Sequence, residues 1–182
     1  IIAIGMQAHV EIVEKSSLRL KELQTKYGDA IVPLQSDEIN LIEHIKNCDL
    51  LIGSVLIPGA NAPKLVSKEM IKHMKRGSVI VDVAIDQGGC VETSKPTTHA
   101  NPTYIVDDVV HYCVANMPGA VPYTSTVALT NVTLPFVLKL ANLGWEKACN
   151  ADKSLQKGLN IVKGTIVYEG IAEAFGWEVS YS

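Results

Sequence analysis

Short β-type runs alternate with amphipathic helical windows over the first two thirds of the chain, and this alternation narrows its fold more than any other feature. Strands separated by helices pair in parallel, each helix crossing the sheet to bring the next strand alongside. Residues 9–14 (HVEIVE) read as a strand, and residues 17–27 as a helix with Leu18, Leu20 and Leu23 on its apolar side, closed by Gly28. Residues 30–34 are the next strand, residues 37–46 a helix with Ile39, Ile42 and Ile45 at helical spacing, and residues 49–52 a buried strand. Ser67 is placed to cap a helix running through Lys75, which Gly77 ends. Residues 103–106 and 109–113 are two further short strands around Asp107 and Asp108. The pattern is that of a doubly wound, nucleotide-binding type of sheet.

After Pro122 the grammar changes. Residues 124–143 predict one long apolar helix, interrupted by Pro135 and stopped at Gly144. It is too long and too hydrophobic for a surface helix, so it is expected to be buried between domains or subunits. Short helical pieces at 145–150 and 155–158, a hairpin over 160–168 turning at Lys163 and Gly164, and a last helix at 169–175 complete the chain. A domain boundary is expected near Tyr123, dividing the chain into 1–123 and 124–182.

The start of the chain breaks the alternation. Residues 1–5 (IIAIG) look like a first strand, but only Met6, Gln7 and Ala8 separate them from the next one, and no crossover helix fits in three residues. Residues 1–7 are therefore expected to be the tail of a helix that begins upstream, after a strand and glycine-rich turn absent here. With no initiator methionine, the 182 residues are expected to be a fragment.

Composition excludes some partners. Sixteen Lys and Arg against nineteen Asp and Glu give a net charge of -3, with no basic stripe of the kind nucleic-acid binding leaves. The apolar stretch 49–62 contains Gly53, Pro58 and Gly59 and falls short of the roughly 18 to 20 residues of a membrane helix. No charged and then apolar leader precedes it. Cys48, Cys90, Cys113 and Cys149 are scattered without C-x-x-C spacing, so neither a disulfide framework nor a zinc site is expected, and a reducing cytoplasm fits best.

The chemistry points to residues 78–92 (SVIVDVAIDQGGCVE), where an apolar β-type run ends in an acid followed by two glycines. In open α/β sheets ligands bind outside the carboxyl ends of the strands, which makes Asp86 the first candidate for a catalytic residue. Gly88 and Gly89 let the backbone turn sharply and approach a ligand without a Cβ in the way. Asp-Gln-Gly-Gly is equally the composition of a plain strand-ending turn. Asp82, inside the strand, reads as a buried, hydrogen-bonded acid rather than a second catalyst.

Three segments carry a resemblance: residues 55–70 (VLIPGANAPKLVSKEM), 78–104 (SVIVDVAIDQGGCVETSKPTTHANPTY) and 111–131 (HYCVANMPGAVPYTSTVALTN). They resemble bacterial alanine dehydrogenases, which are grouped with the NAD-binding subunit of proton-translocating transhydrogenase. The resemblance runs from Ile1 to about Phe175 and covers the second half of a family member. It implies a Rossmann-type NAD domain lacking its first strand and glycine turn, followed by a helical segment of the substrate domain. It also implies oxidation of L-alanine with NAD to pyruvate, ammonia and NADH, in a homo-oligomer that needs an upstream chain for the missing half.

The implied cofactor residues follow position by position. Glu14, where the family usually has Asp, would accept hydrogen bonds from the adenosine ribose and repel a 2′-phosphate, although alone it is an ordinary strand-end acid. Arg19 would reach the adenosine end, or simply pair with Glu22; Ser36 would contact the nucleotide, or cap a helix. Val55 and Leu56 would pack along the cofactor, or belong to the core. Val83, Ala84, Ile85 and Asp86, together with Val114, Ala115, Asn116 and Met117, would line the nicotinamide, and Lys95 would contact the nucleotide where a surface lysine is the plain alternative. Asp86 is the matched residue that would move protons. None of His9, His44, His73, His99 or His111 falls on the family's catalytic histidine. Two alternatives stand beside the dehydrogenase: a transhydrogenase NAD subunit, whose members usually lack the triplet found here as Ile85-Asp86-Gln87, and a non-catalytic remnant of a split gene.

Overall fold

In the computed structural model, which describes residues 1–36, 38–57 and 61–178, a short helix α1 (Ile2–Gly5) leads into β1 (Glu11–Glu14), α2 (Ser17–Tyr27) and β2 (Val32–Gln35). β1 and β2 pair in parallel, with Glu14 opposite Gln35. The chain continues through α3 (Glu38–Asn47), β3 (Leu50–Gly53), α4 (Lys68–Ile71), β4 (Val79–Asp82), β5 (Thr103–Val106) and β6 (Val109–Tyr112). These strands form a second sheet in the order β3-β4-β6-β5, parallel except at the β5 edge. The result is an α/β fold built on parallel strands, divided into two sheets where the doubly wound order would place a central strand.

Local chemistry sets the element ends. The Ser16 hydroxyl accepts the Arg19 amide to start α2, and Gly28 at φ +54° ends it. Asp107 and Asp108, both at positive φ, make the two-residue turn between β5 and β6, a conformation that short polar side chains tolerate. Lys163 and Gly164 do the same between β7 (Ile161–Val162) and β8 (Thr165–Ile166).

The main core lies under the second sheet, where Ile45, Ile71, Ile80, Val91 and Val109 are buried. Each such side chain stabilises the fold by about 1.5–3 kcal/mol relative to exposure. The two-residue period of β4 sends Ile80 and Asp82 to the covered face, and that of β6 sends Val109 and His111. His111 donates through Nδ1 to the Val109 carbonyl at 3.0 Å, accepts the Thr93 hydroxyl at 2.7 Å, and stacks on its cross-strand neighbour Tyr104. Burial pushes its pKa below the ordinary histidine value.

Three elements depart from the sequence expectation. α4 stops at Ile71, not Lys75, because the His73 and Met74 amides bond carbonyls three residues back, a tighter turn that buries Met74. β4 ends at Asp82, and residues 83–87 form a 3₁₀ turn instead of more strand. The long helix α5 (Pro122–Ala151) passes through Pro135 and joins the expected 145–150 helix across a kink at Gly144, where φ is 74° and ψ 161°. Ala148 and Cys149 of α5 are buried, but Leu129 and Val132 are 62% and 63% exposed, because no layer of the described chain packs over them. By length and mean hydropathy, 1.3 in its most apolar window, α5 is apolar enough to cross a membrane. α6 (Lys153–Gln156) and α7 (Glu169–Phe175) follow. Asp37, Pro58, Gly59 and residues 179–182 lie outside the described residues.

Candidate functional site

The chain leaves β4 at Asp82, makes one turn through Val83–Gln87, and carries Asp86 into a cleft of about 210 Å³. Ser54, Val55 and Leu56, from the end of β3, form one wall; Val83, Ala84, Asp86 and Gln87 form the other. Leu56 and Val83 are 73% and 46% exposed, so the cleft offers apolar walls open to solvent with one carboxylate among them. Asp86 is itself exposed. The Gln87 side-chain oxygen Oε1 is buried and has no hydrogen-bond partner among the described residues. The result is an apolar slot, open to solvent, with one carboxylate at its edge.

The turn behind Asp86 is tightly specified. Gly88 and Gly89 sit at φ +89° and +75°, and their amides donate to the carbonyls of Ile85 and Ala84. A Cβ on Gly89 would stand 2.7 Å from Asp82 Oδ2, and one on Gly53 would collide with Cys90 Sγ. Asp82 is fully buried and accepts the amides of Cys90 and Val91 at 3.0 and 3.1 Å, which is the hydrogen-bonded acid expected from its place in the strand. Burial, with Asp82 beside it, pushes the Cys90 thiol up to about 11, so this cysteine is an inert donor.

The other expected positions fall into two further groups. Glu14 ends β1, where Oε1 accepts the Ser16 amide at 2.8 Å and its carbonyl accepts the Ser36 amide at 3.1 Å; this brings Glu14 and Ser36 together at the carboxyl ends of β1 and β2. Arg19 points away to Glu22, with Nη1 2.7 Å from its carboxylate. The 93–99 segment gathers the rest. Lys95 lies over the Tyr104 ring at 4.6 Å and its amide donates to the Tyr104 hydroxyl oxygen, Val114 is buried and bridges Thr97, Ala115 donates to the Thr97 carbonyl, and the Asn116 carbonyl accepts His99 Nε2 at 2.7 Å. Met117 opens the short 3₁₀ turn that precedes α5, and Ile85 is buried behind Asp86 rather than lining the cleft. Sequence reasoning did not single out Ser54, Gln87 or Lys64. For Lys64 the available signal was a lone lysine in an otherwise apolar run. Among the described residues no cluster of three or more His, Cys, Asp or Glu is placed to hold a metal ion.

Residues 1–169 match the family described as alanine dehydrogenase/PNT, C-terminal domain. The chain belongs to this family. It is 56% identical over 97% of its length to the alanine dehydrogenase of Halomonas elongata, 53% over 96% to that of Lysinibacillus sphaericus, and 51% over 94% to that of Mycolicibacterium smegmatis. It covers 48%, 47% and 46% of those proteins and so spans about half the length of the curated relatives it matches. The solved structure of an L-alanine dehydrogenase superposes over 96% of the chain and 48% of its own, with a TM-score of 0.83 at 48% identity. A transhydrogenase from Sinorhizobium meliloti matches 66% of the chain and 33% of its own, at 27% identity and a TM-score of 0.56.

Proposed function

We propose that the chain is the cofactor-binding half of an NAD-dependent alanine dehydrogenase, acting in the oxidative deamination of L-alanine to pyruvate and ammonia. The observation that carries this is the cleft beyond β4, where Asp86 stands exposed between apolar walls at the carboxyl end of its strand. Bound NAD would supply the acceptor for the hydride leaving the substrate Cα. Val55, Leu56, Val83 and Ala84 would exclude water from one face of that ring, and Glu14 with Ser36 would hold the far end of the nucleotide. Asp86 takes a proton from the water that adds to the imine carbon, then returns one to the departing amine. Such assistance is typically worth roughly 10²- to 10⁴-fold.

The dehydrogenase reading is favoured over the transhydrogenase one by identities of 51–56% against 27%. Groups that hold the substrate carboxylate would come from outside these residues, since no histidine or arginine lines the cleft. α5 would cross from the NAD unit near Tyr123 and be covered by a substrate domain and by other copies in a cytoplasmic homo-oligomer.

The test is a polypeptide of the relatives' full length with this chain as its second half, assayed for NADH formation from L-alanine. Asp86→Asn should keep NAD affinity and lose about 100-fold or more in kcat, because the isosteric amide accepts no proton. A variant that retains more than about half the rate at saturating substrate removes Asp86 from the proton transfers.

A further inference from the structure

The turn that presents Asp86 is held between two side chains of opposite charge. From inside, the fully buried Asp82 accepts the amides of Cys90 and Val91, so the chain that left β4 at this residue comes back to its own carboxylate eight and nine residues later. From outside, Lys64 Nζ donates to the carbonyls of Gly88 at 2.5 Å, Gly89 at 2.9 Å and Val91 at 3.4 Å. The segment around Lys64 adds main-chain bonds, the Ala62 amide to the Gln87 carbonyl and the Leu65 amide to the Cys90 carbonyl. Amides therefore face the acid and carbonyls face the base. Hydrogen bonds to charged groups are worth roughly twice neutral ones, so the two residues fix a double-glycine loop that would otherwise have wide conformational freedom.

We infer that Lys64 and Asp82 are positioning residues, which fix where the Asp86 carboxylate stands in the cleft. The inference deepens the dehydrogenase reading and rests on it for its kinetic consequence. It follows from the connectivity: Asp86 lies four residues after Asp82 and two before Gly88, inside the clamped loop, and has no partner of its own among the described residues to hold it. A catalytic group misplaced by about 1 Å loses on the order of 10²-fold.

Lys64 is exposed, so Lys64→Met tests the clamp without emptying the core. In the full-length polypeptide it should lower kcat at least about ten-fold and leave KM for NAD within about two-fold, a split that a general loss of the fold would not produce. Lys64→Arg, which keeps the donors, should restore most of the rate. Amide hydrogen exchange across residues 88–91 should be at least about ten-fold faster in Lys64→Met. Asp82→Asn should give the same signature more strongly wherever it folds. Unchanged kcat, or unchanged exchange at 88–91, overturns the inference. If the parent polypeptide does not oxidise alanine, the activity reading fails on its own and the exchange comparison still decides whether the clamp exists.

Discussion

Glu14 shows how much a single residue settles once its surroundings are fixed. One of its carboxylate oxygens takes the Ser16 amide at the start of α2, which anchors the charge at the end of β1. A 2′-phosphate brought there would meet a like charge, an arrangement that costs several kcal/mol, about a hundred-fold or more in preference. The full-length polypeptide should accordingly favour NAD over NADP by at least that factor in kcat/KM, and Glu14→Ala should erode the preference; comparable efficiency with NADP would exclude the role. His111 makes a second prediction. Its pKa is lowered in the native state by burial, so as pH falls the unfolded chain takes up the proton first, and stability is lost from about 6.5 downward. The thermal midpoint should drop between pH 7 and 5, and His111→Gln should flatten that drop; an identical slope in the variant would assign it to other groups. Asp82 was legible because an acid inside an apolar strand has to be hydrogen-bonded where it is buried. Lys64 was not, because its partners are main-chain carbonyls, which sequence does not mark.

Elements were legible where their limits are local. α2 and α7 match their expected spans, and both hairpins turn where Asp107-Asp108 and Lys163-Gly164 stand, since caps and positive-φ residues act on their own neighbours. β4 was overextended because a strand's length is decided by its partners. Its ladder closes at Gly53 opposite Asp82 on one side and at Tyr112 opposite Val81 on the other, leaving the apolar residues 83–85 free to curl into the turn that lifts Asp86. α5 was read correctly as a helix, but periodicity reports an apolar surface and not what covers it, and within the described chain most of that surface is open.

At the scale of the molecule, the two sheets are the dominant fact. β1 and β3 have no common partner among the described residues, and Val13, Leu50 and Ile52 beside those edges are 41%, 52% and 57% exposed. Open, apolar strand edges favour association between chains over a stable monomer. The 182 residues alone should therefore aggregate or bind NAD only weakly, and turn over no alanine; calorimetric titration giving micromolar affinity, or any NADH formed, would contradict this. Glu14 ends a strand of one sheet and Asp86 sits in the turn just beyond a strand of the other, so on the proposed reading a dinucleotide touching both would be a strut across the division. At a free ligand concentration a hundred times Kd, such a bridge would add about 2.7 kcal/mol to the folded form that binds it, a sizeable share of an ordinary domain's margin.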